Sequence, residues 1–79
     1  MPYFTYILYS ASLKKYYTGS TGNLENRLNE HDIGKSKYTK IGKPWLLVKY
    51  FKFETRSDAV KLENRIKKRG IKRFLNDSG

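Results

Sequence analysis

Glu63, Arg27, His31 and a group of tyrosines are the residues of this 79-residue chain whose types and spacing could do chemistry. Glu63 falls inside the apolar stripe Ala59, Leu62 and Ile66, with Val60 at its edge, about 40° from Ala59 on a helical wheel. A carboxylate on the core-facing side of a helix is costly unless it is paired or holds a metal ion. Two readings follow: a salt bridge to Arg27 or to a neighbouring lysine, or a ligand for one hard divalent cation. A single protein carboxylate suits Mg²⁺, which keeps several waters and binds phosphate oxygens as well. Arg27 and His31 are four residues apart and share a helix face with Leu24 and Leu28. They are either a snorkelling pair beside the leucines or a phosphate fork and a proton carrier. Tyr6 and Tyr17 fall on adjacent strands of an expected hairpin, where tyrosine is ordinary core material. Two phenols aimed at one spot could instead touch a water or a phosphate, and a phenol, with an unperturbed pKa of about 10, needs a nearby cation or histidine to act as a base. A carboxylate for a cation, an arginine, a histidine and two phenols together suit phosphodiester hydrolysis. That reaction needs a deprotonated water, a Lewis acid and stabilisation of charge on phosphate.

The elements that must position these groups read in the order strand, strand, helix, strand, helix. Residues 3–9, YFTYILY, are aromatic and β-branched and form a strand; 15–18 return as a short second strand that Gly19 stops. Asn23 is the N-cap of a helix from Leu24 to about Ile33, with Gly34 as its C′ residue. Residues 34–44, GKSKYTKIGKP, carry four lysines and no acid and read as a cationic loop. Trp45–Phe53 is the most apolar run and reads as the central strand of the sheet. Thr55 opens a second helix, from about Arg56 to Arg69, which Gly70 closes; Ile71–Leu75 reads as a short last turn.

Charge indicates a class of partner through its distribution more than through its total. Residues 1–33 hold three basic and three acidic residues, whereas 34–79 hold fourteen and four and carry the entire net +10. That asymmetry points to a polyanion, with nucleic acid first. The expected contacts are Lys35, Lys37, Lys40 and Lys43 in the loop, and Arg65, Lys68 and Arg69 on the second helix. With no cysteine and one histidine, disulfide frameworks and cysteine- or histidine-rich zinc sites are excluded. No apolar run approaches 18 residues, so no membrane partner is expected. Met1-Pro2-Tyr3 lacks a basic leader and a cleavage site, so the expected location is cytoplasmic. The length predicts one domain over residues 1–79.

This arrangement resembles the GIY-YIG endonuclease superfamily, in particular its small stand-alone members related to the nuclease domain of the bacterial excision-repair machinery. Phe4-Thr5-Tyr6 corresponds to the first family motif and Tyr17-Thr18-Gly19 to the second, with Phe, Thr and Thr in place of its Gly, Ile and Ile. The helix arginine falls on Arg27, a frequent histidine on His31, the tyrosine of KSKYT on Tyr38, and the metal-binding glutamate on Glu63. The resemblance implies an α+β fold, a three-stranded antiparallel sheet flanked by helices. It also implies hydrolysis of DNA phosphodiester bonds with one Mg²⁺ or Mn²⁺ on Glu63, in repair or recombination. Tyr6, Tyr17, Arg27, His31, Tyr38 and Glu63 are then the expected catalytic set lining one cleft. Tyr6 and Glu63 on opposite faces of the sheet would contradict that cleft. The alternatives are a non-catalytic, basic nucleic-acid-binding module of the same fold and a small protein that assembles with RNA; RNA is the less favoured partner.

Overall fold

The computed structural model describes residues 2–32 and 45–78, without the side chains of residues 29–32 and 78. Strands β1 (Tyr3–Ser10) and β2 (Lys15–Thr21) form the expected hairpin, pairing Thr5 with Ser20, Tyr6 with Gly19 and Leu8 with Tyr17. Its turn passes through Lys14 at φ 54°, a left-handed conformation that costs a non-glycine residue about 1–2 kcal/mol. The buried Ser10 hydroxyl accepts the Leu13 amide at 3.2 Å and helps close the turn. Gly19 does not stop β2, which runs on to Thr21.

Helix α1 (Leu24–Asp32) starts where expected. The Asn23 side-chain oxygen accepts the Asn26 amide at 3.0 Å, and Thr21 Oγ1 orients that cap by accepting the Asn23 amide at 3.1 Å. The expected helix end at Ile33 and Gly34 lies outside the described residues.

Strand β3 (Trp45–Phe53) pairs antiparallel with β1, and the sheet order is β2-β1-β3. The sequence expectation of a central β3 is therefore corrected: β1 is central and β3 is an edge. The reason lies in burial. Thr5, Tyr6, Ile7 and Leu8 are all buried, which only a strand covered on both faces achieves, whereas Leu46, Leu47, Val48 and Tyr50 of β3 are exposed. The register steps from Ile7–Lys49 to Leu8–Leu47, which leaves Val48 as the extra residue of a β-bulge.

Helix α2 (Arg56–Arg69) is capped by Thr55, whose hydroxyl accepts the Asp58 amide at 3.2 Å. It ends at Gly70, φ 95°, whose amide bonds Ile66 O at 2.9 Å. A separate helix α3 (Ile71–Ser78) follows and extends beyond the single turn expected. The sheet lies between α1 on one face and α2 with α3 on the other. On the α1 face Tyr6, Leu8 and Trp45 form a buried cluster, with Tyr17, Leu24 and Leu28 packed around it. On the other face Ala59 and Ile66 are buried, Thr5 Oγ1 donates to Ala59 O at 2.6 Å, and Phe74 meets Phe51 edge-on at 6.0 Å. Thr5 thus places a hydroxyl in the core at no unsatisfied cost, because the helix carbonyl accepts it.

Candidate active site at the edge of the sheet

Tyr6 is 2% exposed and stands directly across from Gly19. Its ring leans over that glycine: a Cβ built on Gly19 would come within 2.6 Å of the Tyr6 hydroxyl oxygen and 2.9 Å of Cζ. Gly19 therefore sits inside β2 because the phenol occupies the space a side chain would take, which is the close-approach role of a strand glycine. Tyr17 shares this face, its ring 6.4 Å from that of Tyr6 and 6.2 Å, edge-on, from Trp45. On α1, Leu24 and Leu28 pack against this cluster and Arg27 is half-buried like them, while Glu25 and Asn26 are exposed. The wheel reading of α1 holds for these residues. The His31 side chain lies outside the described residues, as do Tyr38, Lys35, Lys37, Lys40 and Lys43.

Glu63 is on α2, its side chain 16% exposed, with a partner on each carboxylate oxygen. Ser20 Oγ donates to Oε1 at 2.7 Å and Lys67 Nζ donates to Oε2 at 2.7 Å. The expected neighbouring lysine is thus Lys67, one helical turn along. Sequence reasoning misses Ser20, although a signal for it exists. Ser20 follows Gly19, so strand alternation turns it to the face opposite Tyr6, where Glu63 comes to meet it.

That alternation corrects the expectation of a single cleft on one face. Tyr6, Gly19 and Tyr17 face α1, and Thr5, Ser20 and Glu63 are on the α2 side, so Tyr6 and Glu63 lie on opposite faces of the sheet. What the two groups share is strand β2, each touching one of two consecutive residues from its own side. The Tyr6 hydroxyl lies over Gly19 and Glu63 is bonded to the next residue, and among the described residues β2 pairs with β1 alone. The helix wheel places Glu63 correctly on the core-facing side of α2 but cannot say which face of the sheet that helix covers.

Arg65 and Lys68 are exposed on α2 and line a concavity of about 320 Å³ with Arg69 and Arg73. Arg69 is also held across the α2–α3 turn, its Nε donating to Asp77 Oδ2 at 2.7 Å. Among the described residues no three His, Cys, Asp or Glu side chains cluster as a multidentate metal site. No helix of the described residues is long and apolar enough to cross a membrane.

Comparison with known proteins agrees with this architecture. The family model described as the GIY-YIG catalytic domain matches residues 2–74. The UPF0213 protein lin0209 of Listeria innocua is 42% identical over 67 residues, spanning 84% of this chain and 73% of its own length. A UPF0213 protein of Syntrophus aciditrophicus is 45% identical over 67 residues, spanning 82% of this chain and 76% of its own length. The solution NMR structure of the UPF0213 protein BH0048 of Bacillus halodurans superposes with a TM-score of 0.62 at 29% identity, covering 100% of this chain and 87% of that one.

Proposed function

Because the chain belongs to the GIY-YIG catalytic domain family, we propose that it is a divalent-metal-dependent DNA endonuclease acting in cytoplasmic DNA repair or recombination. The observation that supports this reading is that the Tyr6 hydroxyl over Gly19 and the Ser20-bonded carboxylate of Glu63 address consecutive residues of β2 from its two faces.

The donor set fits a hard ion. It offers one carboxylate with a hydroxyl beside it and no thiolate, which suits Mg²⁺ or Mn²⁺ retaining most of its waters. Ser20 holds Oε1 in place, and Lys67, 56% exposed, can swing off Oε2 into solvent. When bound, the ion supplies Lewis acidity to the phosphate and leaving oxygen. Arg27 grips two non-bridging phosphate oxygens with its guanidinium fork. Tyr6 and Tyr17 orient the attacking water, and a base, neutral His31 or a phenol deprotonated beside a lysine, takes its proton and returns one to the leaving oxygen; Tyr38 completes the set. Attack forms a new P–O bond, one ester P–O bond breaks, and the leaving oxygen departs with the pair. Lys35, Lys37, Lys40 and Lys43, with Arg65, Lys68 and Arg69, hold the flanking backbone.

The test incubates the chain with plain, nicked, tailed and branched DNA, with and without Mg²⁺ or Mn²⁺. Metal-dependent cleavage that Glu63→Ala abolishes supports the reading. Binding without cleavage of any substrate leaves the non-catalytic module, whose carboxylate would stay paired with Lys67.

A further inference from the structure

On the α2–α3 side, at the hairpin end of the sheet, a groove of about 560 Å³ is lined by Tyr9, Lys14, Lys15, Tyr16, Ile71 and Lys72. Nothing in the proposed catalytic set uses these residues. Tyr9 and Tyr16 are directly paired across β1 and β2, their rings tilted by 49° with centroids 4.8 Å apart. They are half-buried, and all three lysines are exposed. The lining contains two phenol rings, three ammonium groups, one aliphatic side chain and no carboxylate.

We infer that this groove binds an unpaired segment of a DNA strand, one base stacking on the Tyr9–Tyr16 pair and the adjoining phosphates meeting Lys14, Lys15 and Lys72. The inference rests on the nucleic-acid reading above and narrows its substrate class to tailed or branched DNA. Lysines alone would suit any polyanion. An aromatic floor beside them is what single-strand binding adds, because every base has a face to stack and a paired base hides it. The groove is also on the Glu63 side of the sheet. Tyr16 and Ser20 are four residues apart on β2, about 13 Å at strand rise, a span that a few nucleotides of an unpaired strand cover. A strand anchored in the groove therefore reaches the catalytic edge. Lys14 contributes a charge at a backbone position that glycine would hold without strain, since its φ is 54°.

The experiment measures binding of labelled oligothymidylate, oligouridylate and a blunt DNA duplex by fluorescence anisotropy, with thermal melting of each variant and cleavage of a tailed duplex. The groove variant is Lys14→Gln with Lys15→Gln and Lys72→Gln. A control of equal charge loss is Lys52→Gln with Arg56→Gln and Lys61→Gln. The groove variant is expected to lose about tenfold or more in oligothymidylate affinity and the control about threefold or less; Tyr16→Leu is expected to lose about fivefold or more through stacking alone. Lys14→Gly is expected to melt at or above wild type while binding oligothymidylate more weakly, which separates binding from folding. Equal losses in groove and control variants would overturn the inference, as would tighter binding of oligouridylate than of oligothymidylate. If the tailed duplex is cut with metal and the groove variants bind as wild type does, the groove fails and the endonuclease stands. If nothing is cut but the groove variants lose oligothymidylate, the endonuclease fails and the groove stands.

Discussion

Lys67, the ion-pair partner of Glu63, has a side chain that is 56% exposed. Deleting Glu63 therefore strands no buried charge, and the cost of about 3–5 kcal/mol typical of breaking a buried pair does not apply. Glu63→Ala is expected to cost about 1–3 kcal/mol in thermal melting, mostly from the Ser20 hydroxyl losing its charged acceptor. It should abolish metal-dependent cleavage, while DNA binding stays intact or tightens slightly because a carboxylate near phosphates has gone. A mutant that folds and still cuts like wild type would remove Glu63 as the ligand. Lys67→Ala frees Oε2, so half-maximal cleavage should need severalfold less Mg²⁺; a Mg²⁺ titration of rate that does not move would show that Lys67 does not compete. Gly19→Ala puts a methyl 2.6 Å from the Tyr6 hydroxyl oxygen. The ring has to shift within a packed cluster, at about 1–3 kcal/mol in stability. Cleavage should fall further than melting accounts for, and wild-type rates from a mutant that melts normally would refute a role for the Tyr6 position.

At the scale of elements, α1 presents Arg27 one turn after its capped N-terminus. Asn23 accepts the Asn26 amide, so Asn23→Ala should cost about 1 kcal/mol in urea denaturation. A loss near zero would mean that water replaces the cap fully. Helices α1 and α2 begin at the residues that cap chemistry indicates, Asn23 and Thr55, because capping is a local hydrogen bond that sequence carries on its face. The strands are less readable. Gly19 reads as a stop, yet in place it is the gap that admits Tyr6. Trp45–Phe53 reads as the buried centre, yet it forms an edge, because apolar content does not reveal how many faces a strand has covered.

At the scale of the whole molecule, the net +10 resides in residues 34–79. Binding to duplex DNA should weaken with salt at about 0.9 log units per log of salt for each phosphate neutralised, or about 3.6 if Lys35, Lys37, Lys40 and Lys43 each meet one. Affinity measured between about 50 and about 200 mM salt checks this; a flat response would rule out phosphate-dominated binding.

The residue types, their order and the local signals were determined by the sequence: the paired tyrosines, the arginine on the leucine face of α1, the carboxylate on the core-facing side of α2, and the caps of α1 and α2. These depend on chemistry within a few residues, where the 3.6- and 2-residue periods apply. Only the tertiary structure decided which face of the sheet each helix covers, that β1 and not β3 is central, that Ser20 and Lys67 hold Glu63, and that Tyr6 and Glu63 lie on opposite faces of the sheet. Those outcomes depend on strand order and on contacts between residues as far apart as Ser20 and Glu63, and a periodicity within one segment contains no information about its partner.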